Sequence, residues 1–379
     1  IRPFIIRRFN MASFVNRGTK HKPSWQYTIS RYVDGKYKPI RKGGFRTKAE
    51  AEREALEIEQ MIKRGESLLY LTEIPFEEYF YDWYRRYKRD VTPRTLKHYE
   101  FTHKYICEYF GETPIQKITR NKYQDFLNSY GERYAKETMS KVNGHIKACV
   151  LDAIEDGIIR VDFTRNANVI GKAAKSKHEK YLNFEESDKL YNELMNRLNL
   201  GLSYYAVLLL LVSGIRYEEL VGLTRDDFDF KNNTISINKT WGYNRLMPDG
   251  FGPTKNESSI RVISIDPKVM KEFKKLFLQT PNNIHKLVFF SPTSKYKVLS
   301  NNAVNKTLKK VLKDIGAKNM ITAHELRHTH ASALIYKKVS IIYISERLGH
   351  SSPDITYKRY SHLMKELRQE DEKTAINLY

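Results

Sequence analysis

The sequence predicts three domains: a small α+β domain made of a three-stranded sheet and one helix, an all-α bundle, and a larger, mainly α domain with a short sheet. The length of 379 residues is long for one hydrophobic core and suits two or three. Near residue 48 the apolar pattern changes from alternation to helical periodicity. A lysine-rich stretch without periodicity, residues 171–180, separates the last two domains.

The charge of the chain favours a polyanionic partner. Lys and Arg outnumber Asp and Glu by 66 to 44, which gives a net charge of +22. Such an excess repels itself unless nucleic acid or an anionic membrane surface is nearby. The most apolar stretch, residues 206–212, is far shorter than the roughly 20 residues of a membrane span. Two cysteines, Cys107 and Cys149, form no disulfide framework and indicate a reducing, cytoplasmic setting.

The first domain is expected at residues 11–66. Residues 1–10 precede Met11, and we expect them to be a non-native or disordered leader. Alternating aromatic and β-branched residues on both sides of Asp34-Gly35 predict a hairpin. Thr47 is expected to cap the helix that follows.

Positive charge is concentrated on the predicted strands of this domain. Residues 11–48 hold ten Lys or Arg and one acidic residue. This segregation favours a sheet that reads a DNA groove, with a solvated ribbon as the alternative. The candidate DNA contacts are Arg31, Lys36, Lys38, Arg41 and Lys42.

Residues 73–170 are predicted to be helical throughout. One amphipathic helix begins after Pro75, a second is opened by Thr92-Pro93 and ends at Gly111, and two more follow. Basic residues on this bundle are candidates for phosphate contacts, which position a protein without reading sequence, although single ones are more often solvated surface. We single out Arg94 and Lys97.

The stretch at residues 171–180 is interpreted as a basic linker that crosses DNA while two helical units grip opposite faces. Its candidate contacts are Lys172, Lys175 and Lys177. The last domain is expected at residues 181–379, beginning with a helix capped by Asn183. Its tail from residue 363 onward is predicted to pack either on a neighbouring copy or on its own domain.

Four short patterns in the last domain carry candidate chemistry. In SGIRYEELVGL, Arg216 begins a helix with Glu219 one turn away, which taken alone is an ordinary surface ion pair. In GPTKNESSIRVISI, Lys255 is expected in the turn between two paired strands.

The other two patterns lie near the C-terminus. HELRHTHASALI places His324 and Arg327 three residues apart, so they are expected on one helix face. LGHSSPDITYKRYSH supplies His350 after a helix end made by glycine, and Tyr360 ten residues later.

Together these residues resemble the catalytic domain of the tyrosine recombinases, the phage-type integrases, which use Arg, Lys, His-x-x-Arg, His and Tyr in this order. More loosely, the helical unit resembles their core-binding domain and the N-terminal sheet their arm-binding domain. The resemblance implies one set of catalytic residues: Arg216, Lys255, His324, Arg327, His350 and Tyr360.

It also implies the reaction. The enzyme would cleave and rejoin double-stranded DNA at core and arm sites through a 3′-phosphotyrosyl intermediate, integrating or excising a mobile element. Its partners would be DNA, three further copies in a homo-tetramer, a directionality factor and a host DNA-bending protein. No cofactor or metal is expected.

The chemistry explains why these residue types are needed. Two guanidiniums, Arg216 and Arg327, stabilise charge on the non-bridging phosphate oxygens. Tyrosine, with an ordinary pKa of about 10, must lose its proton as it attacks. His324 is the expected acceptor, His350 would donate to the phosphate, and Lys255 would protonate the departing 5′-oxygen.

The sequence leaves two other functions open and a second candidate for the nucleophile. HELRH fits H-E-x-x-H, which binds zinc in metalloproteases, but Ala331 and Leu334 occupy the positions expected for a glycine and a third ligand. A catalytically silent DNA-binding relative is the other alternative. Tyr357 also follows His350, and only its spacing argues against it as the nucleophile.

Overall fold

A computed structural model describes residues 11–33, 36–64, 73–173 and 180–361. The chain divides into two compact units, residues 1–174 and 175–379. The elements of the first unit are β1 (Ser13–Asn16), β2 (Trp25–Ile29), β3 (Tyr32–Val33), β4 (Lys36–Tyr37), β5 (Ile40–Phe45), α1 (Lys48–Lys63), α2 (Phe76–Tyr87), α3 (Pro93–Phe110), α4 (Arg120–Gly131) and α5 (Lys136–Glu155).

The predicted α+β domain is confirmed. Strands β1, β2 and β5 form an antiparallel sheet in the order β1-β2-β5, and β3 pairs with β4 as a hairpin. The predicted turn residues Asp34 and Gly35 lie outside the described residues. Helix α1 begins with a capping box, in which Thr47 and Glu50 bond each other's backbone N–H groups. Its apolar face packs on the sheet around the fully buried Tyr27.

The helical bundle follows the predicted elements. Thr92 caps α3 with Pro93 at the first helical position, and Gly111 ends it with a positive φ of 51°. The core is rich in aromatic rings that meet edge to face, such as Phe76 against Phe110.

Part of the predicted linker belongs to this bundle. Lys172 donates its backbone N–H to Tyr134 and accepts from Lys136 through its carbonyl oxygen. Residues 174–179, with Lys175 and Lys177, lie outside the described residues.

The second unit is a mainly helical domain with a small sheet, as predicted. Its elements are α6 (Phe184–Asn196), α7 (Leu202–Ser213), α8 (Tyr217–Gly222), β6 (Phe228–Asp229), β7 (Thr234–Ile237), β8 (Thr240–Trp241), β9 (Phe251–Gly252), β10 (Arg261–Ser264), α9 (Pro267–Gln279), α10 (Asn301–Asp314), α11 (Leu326–Tyr336) and α12 (Ile341–Leu348). Residues 353–361 are also helical.

Helix α7 forms the centre of this unit. It is buried along nearly its whole length and packs against α6, α10 and α11. Asn183 caps α6 in a capping box with Glu186, as expected. Strands β10, β7 and β6 form an antiparallel sheet in that order, and Ile235, Ile237 and Ile263 of this sheet belong to the core.

Among the described residues, no helix has both the length and the apolar character that crossing a membrane requires. The expected leader at residues 1–10 and the tail from residue 362 onward lie outside the described residues.

Candidate active site

The end of α7 places Arg216. Gly214 ends this helix in the left-handed conformation, with φ 66°. A Cβ atom at this position would lie 2.8 Å from both His330 and Leu348, so only glycine lets the chain turn here. Arg216 follows as the N-cap residue of α8. The prediction that it begins the next helix is therefore confirmed.

Glu219 is the buried anion of the site. Its side chain is 1% exposed and accepts from Nη1 of Arg216 at 2.7 Å and from Nη2 of Arg261 at 2.9 Å. Burial by itself raises the pKa of Glu219, but the charges and hydrogen bonds of Arg261 and Arg216 outweigh it and lower the pKa. An ordinary surface pair is therefore the wrong description of this contact.

Arg216 is held from three sides. Besides Glu219, its guanidinium donates to the hydroxyl of Ser259 at 3.1 Å and to the carbonyl of Gly349 at 3.1 Å. These contacts join α8 to the segment before β10 and to the end of α12. The fork of this arginine is thereby fixed before any ligand binds.

Arg327 has an unused donor. Its side chain is 3% exposed, and Nη1 donates to the carbonyl of Gly214 at 2.8 Å. Nη2 is buried and has no hydrogen-bond partner among the described residues. Burial, together with the charge of Arg216, lowers the pKa of Arg327 to about 9. A buried cationic donor of this kind is open to an acceptor, and an anion would satisfy both its hydrogen bond and its charge.

Tyr360 is buried beside this cation. Its side chain is 3% exposed, and its hydroxyl lies 2.8 Å from Nδ1 of His328. Burial raises the pKa of Tyr360 to about 12, although Arg327 and Arg359 act to lower it. The hydroxyl is therefore protonated at neutral pH.

Nδ1 of His328 faces that proton and can accept it in the tautomer that carries its hydrogen on Nε2. Burial, and then Arg359, His324 and Arg327, lower its pKa to about 3, so the ring is neutral at neutral pH. His328 follows Arg327 directly, and sequence reasoning missed it. Its position in HELRH was considered only for zinc.

His350 lies where the pattern predicts. Gly349 ends α12 in the left-handed conformation, and Nδ1 of His350 lies 2.7 Å from the hydroxyl of the fully buried Thr356. Burial and the nearby Arg327 and Arg216 lower the pKa of His350 to about 3. The ring is therefore neutral, and one of its nitrogens is occupied by Thr356.

His324 differs from its predicted placement. Helix α11 begins only at Leu326, so His324 lies in the preceding turn and does not share a helix face with Arg327. It still lies beside the other site residues, and burial, followed by the charges of Arg327 and Arg359, lowers its pKa. Its ring meets that of His328 edge to face at 5.7 Å.

Lys255 also differs from its predicted placement. The strands on either side of it do not form a hairpin, because β9 pairs with β8 and β10 pairs with β7. Lys255 lies exposed in the loop between them and makes no hydrogen bond or ion pair among the described residues. The loop is connected to the site, because Ser259, which binds Arg216, donates to the side chain of Asn256.

The H-E-x-x-H pattern does not have zinc-protease geometry. Its first histidine precedes the helix, its second contacts Tyr360, and the carboxylate of Glu325 accepts from the backbone N–H of Thr322. The two histidines therefore do not share one helix face as that motif requires.

The candidate DNA contacts are on the surface where they are described. Arg41, Arg94, Lys38 and Lys172 are exposed. Nε of Arg31 donates to the carbonyl of Lys38 at 3.2 Å. Lys42 pairs with Glu54 at 2.7 Å and Lys97 with Glu100 at 2.6 Å. The side chain of Lys36 lies outside what the structure describes.

Comparison with known proteins identifies the family. The phage integrase family matches residues 180–366, the N-terminal SAM-like domain of phage integrases matches residues 75–130, and an arm DNA-binding domain matches residues 13–62. The chain belongs to the phage integrase family of tyrosine recombinases. It is thus a member of a family of enzymes that cleave and rejoin DNA.

Individual relatives of this recombinase include integrases of mobile elements. The integrase of Staphylococcus phage L54a is 26% identical over 289 residues, which cover 70% of this chain and 81% of the relative. The ICEBs1 integrase of Bacillus subtilis strain 168 is 25% identical over 360 residues, 89% of this chain and 93% of the relative. The Tn1549 transposon integrase, solved with a circular intermediate DNA, has the same fold, with a TM-score of 0.65 and 19% identity over 79% of this chain and 99% of that one.

Proposed function

We propose that this recombinase cleaves DNA by attack of the Tyr360 hydroxyl on a backbone phosphate. A bond forms from the tyrosine oxygen to phosphorus, and the bond to the 5′-oxygen breaks. The DNA strand is then held through a 3′-phosphotyrosyl link, and a 5′-hydroxyl from another strand reverses the step. One phosphodiester bond replaces another, so no external energy source is needed.

The observation that carries this proposal is the unpaired donor of Arg327 beside the buried Tyr360. Nη2 of Arg327 is buried without a partner among the described residues, and the same guanidinium acts to lower the pKa of Tyr360. Arg216 contributes a second fixed guanidinium. A phosphate oxygen would satisfy the donor and place phosphorus near the hydroxyl.

The contacts favour a particular route for the protons. The hydroxyl of Tyr360 meets His328, so we assign the acceptor role to His328 rather than to His324. With Nδ1 next to Thr356, the other nitrogen of His350 is left to face the phosphate. Lys255 remains our proposed donor to the 5′-oxygen, which requires its loop to close over bound DNA.

The biological reaction we propose is integration and excision of a mobile element. It is supported by relatives named as phage and integrative-element integrases, and by solved relatives bound to DNA. Recombination of two duplexes needs four strand cleavages, so the active assembly would be a homo-tetramer on DNA with core and arm sites. A directionality factor and a host bending protein would be accessory partners, and two free cysteines suit the cytoplasm.

The decisive experiment is covalent capture on a nicked core-site substrate that cannot be religated. Tyr360→Phe keeps the ring and should bind DNA normally but form no covalent complex. The matched control is Tyr357→Phe, because Tyr357 lies on the same helical segment and is 56% exposed. It should capture DNA at the wild-type rate. Mapping the adduct of the wild-type protein to Tyr357 would overturn the assignment.

A further inference from the structure

Three side chains that bind metals converge in the helical bundle, away from the residues described above. His103 and Cys107 lie four residues apart on α3 and therefore on one face of this helix. Glu77 reaches them from the first turn of α2. The donor atoms of these three side chains all lie within 4.8 Å of one another, which is close enough to hold one metal ion.

The spacing of the three donor atoms matches a tetrahedral zinc site. Nε2 of His103 lies 3.3 Å from Oε2 of Glu77, and Sγ of Cys107 lies 3.6 Å from that oxygen and 3.4 Å from that nitrogen. With zinc bonds of about 2.3 Å to sulfur and about 2.0 to 2.1 Å to nitrogen and oxygen, tetrahedral geometry separates the donors by about 3.3 to 3.6 Å.

In the absence of an ion the three side chains hydrogen-bond one another, and the contact between His103 and Glu77 is at the long end of the usual range of about 2.7 to 3.2 Å. Aromatic rings also surround the imidazole of His103 and restrict its position. The rings of Phe80, Tyr81 and Tyr84 lie 6.5, 5.3 and 6.2 Å from it. A preplaced ligand loses little freedom on binding an ion.

We propose that Glu77, His103 and Cys107 bind a Zn²⁺ ion, with a water molecule as the fourth ligand. A thiolate, an imidazole and a carboxylate are a donor set that zinc accepts, whereas Mg²⁺ and Ca²⁺ prefer oxygen alone. All three residues are partly exposed, so the ion can enter from solvent. The ion would join α2 to α3 and stabilise the bundle.

The site does not depend on the proposed recombination chemistry. Its ligands belong to the first unit, and the proposed catalytic residues belong to the second. Loss of the ion should therefore change the stability of the protein without removing the nucleophile or its cationic partners. Metal binding and covalent capture are measured separately, so one proposal can fail without the other.

The test uses the full-length protein, stripped with a chelator and dialysed. Zinc is titrated in competition with a chromophoric chelator, and we expect one equivalent to bind. Cobalt(II) in its place should give the thiolate-to-metal absorption band. Cys107→Ser should lose this band, whereas Cys149→Ala, which changes the other free cysteine, should keep it. His328→Gln should also keep it, which separates this site from the HELRH segment.

Stability provides a second measurement. Zinc should raise the melting temperature of the wild-type protein but not that of Cys107→Ser. If Cys107→Ser does not fold, Glu77→Gln, on a partly exposed side chain, should still weaken zinc binding by more than about tenfold, since losing only a residue that supports a ligand already costs that much. Binding of less than one equivalent, or a cobalt band that persists without Cys107, would overturn the proposal.

Discussion

At the scale of single residues, burial and the arginines of the site together set the protonation of its histidines. Burial lowers the pKa of His324, His328 and His350, and the charge of Arg327 lowers each of them further. The histidines are therefore neutral before DNA binds. Phosphate would neutralise part of the positive charge and raise these pKa values, making the rings better bases as the substrate arrives.

The role of His328 leads to a first prediction. If it accepts the proton of Tyr360, His328→Ala and His328→Gln should both slow covalent capture, by about 10² to 10⁴. DNA affinity should change little. Single-turnover cleavage measures the first effect and a gel-shift titration the second. The matched control is His285→Gln, an exposed histidine of the same unit, which should cleave normally.

The glutamine variant distinguishes two roles. Its side-chain amide can still hydrogen-bond the hydroxyl of Tyr360 but cannot take up its proton. Cleavage restored to the wild-type rate by glutamine, but not by alanine, would show that His328 only positions the nucleophile and would refute the assignment of a base.

Spacing alone predicts some of these residues. His350 and Tyr360 are only ten residues apart, so a short sequence motif is enough to predict that they belong together. The contact of His328 with Tyr360 joins residues 32 apart, and nothing local indicates it. Spacing from His350 favours Tyr360 over Tyr357, whereas helix geometry alone does not separate the two. The structure adds that Tyr357 is 56% exposed and Tyr360 is buried, which supports Tyr360 as our proposed nucleophile.

At the scale of elements, Glu219 connects α8 to β10 and, through two arginines, to α12. Arg261 binds Glu219 and donates through Nε to the carbonyl of Arg347 at 2.7 Å. Arg216 binds Glu219 and the carbonyl of Gly349. Arg347 in turn donates to carbonyls of β10 and α7. The position of Arg216, which we propose binds the phosphate, therefore depends on four elements together.

Removal of this buried charge should be costly. Glu219→Gln leaves two guanidiniums without an anion, and we expect it to lower the free energy of unfolding by about 3 to 5 kcal/mol. Urea titration of both proteins measures the difference. The matched control is Asp226→Asn, which breaks an exposed pair with Lys286 and should cost at most about 1 kcal/mol.

The effect should depend on pH with a defined sign. The pKa of Glu219 is lowered in the folded state, so its contribution is present above the ordinary carboxyl pKa. This stabilising contribution is lost as the pH falls through the lowered pKa that Glu219 has in the folded protein. The difference between wild type and Glu219→Gln should therefore narrow toward acid pH. Two results would contradict the role of Glu219 as the buried anion. One is an equal loss of unfolding free energy in Glu219→Gln and Asp226→Asn, and the other is a difference between wild type and Glu219→Gln that does not change with pH.

Lys255 gives a prediction at the scale of its loop. If Lys255 donates a proton to the departing 5′-oxygen, Lys255→Ala should strongly reduce the rate of cleavage of ordinary DNA. Sulfur at that bridging position leaves without a proton, so the modified substrate should restore much of the rate. Suicide-substrate cleavage measures both. Lys239→Ala removes a lysine of the same unit that is bound by Asp227 and should show no such rescue. Without sulfur rescue, Lys255 would have a positioning role.

Elements were predictable where their signals are local. Thr47, Thr92 and Asn183 begin the helices that the sequence assigned to them, because a cap acts within one turn. The pairing of strands is not local. Here β10 bypasses β9 and pairs with β7, so Lys255 does not lie in the turn of a hairpin.

At the scale of the whole molecule, the net charge of +22 is distributed over parts with different tasks. The arm DNA-binding match covers residues 13–62, and the phage integrase match begins at residue 180. Composition predicted the polyanionic partner. It carries no information on which basic side chains touch DNA, because many of them also form ion pairs, such as that of Lys42 with Glu54.

The division of tasks leads to the last prediction. Deletion of residues 1–66 should leave cleavage of an isolated core site intact, because the proposed catalytic residues all lie in the second unit. It should abolish integration on a substrate with distal arm sites. The arm-site binding that the deletion removes should weaken steeply as the salt concentration rises, since each phosphate contact releases counterions.

In the full-length protein, Arg41→Gln should weaken arm-site binding, because Arg41 is an exposed residue of β5. Lys48→Gln removes the same charge from an exposed pair on α1 and should have little effect. Equal integration by the truncated and full-length proteins would refute a DNA-binding role for this domain.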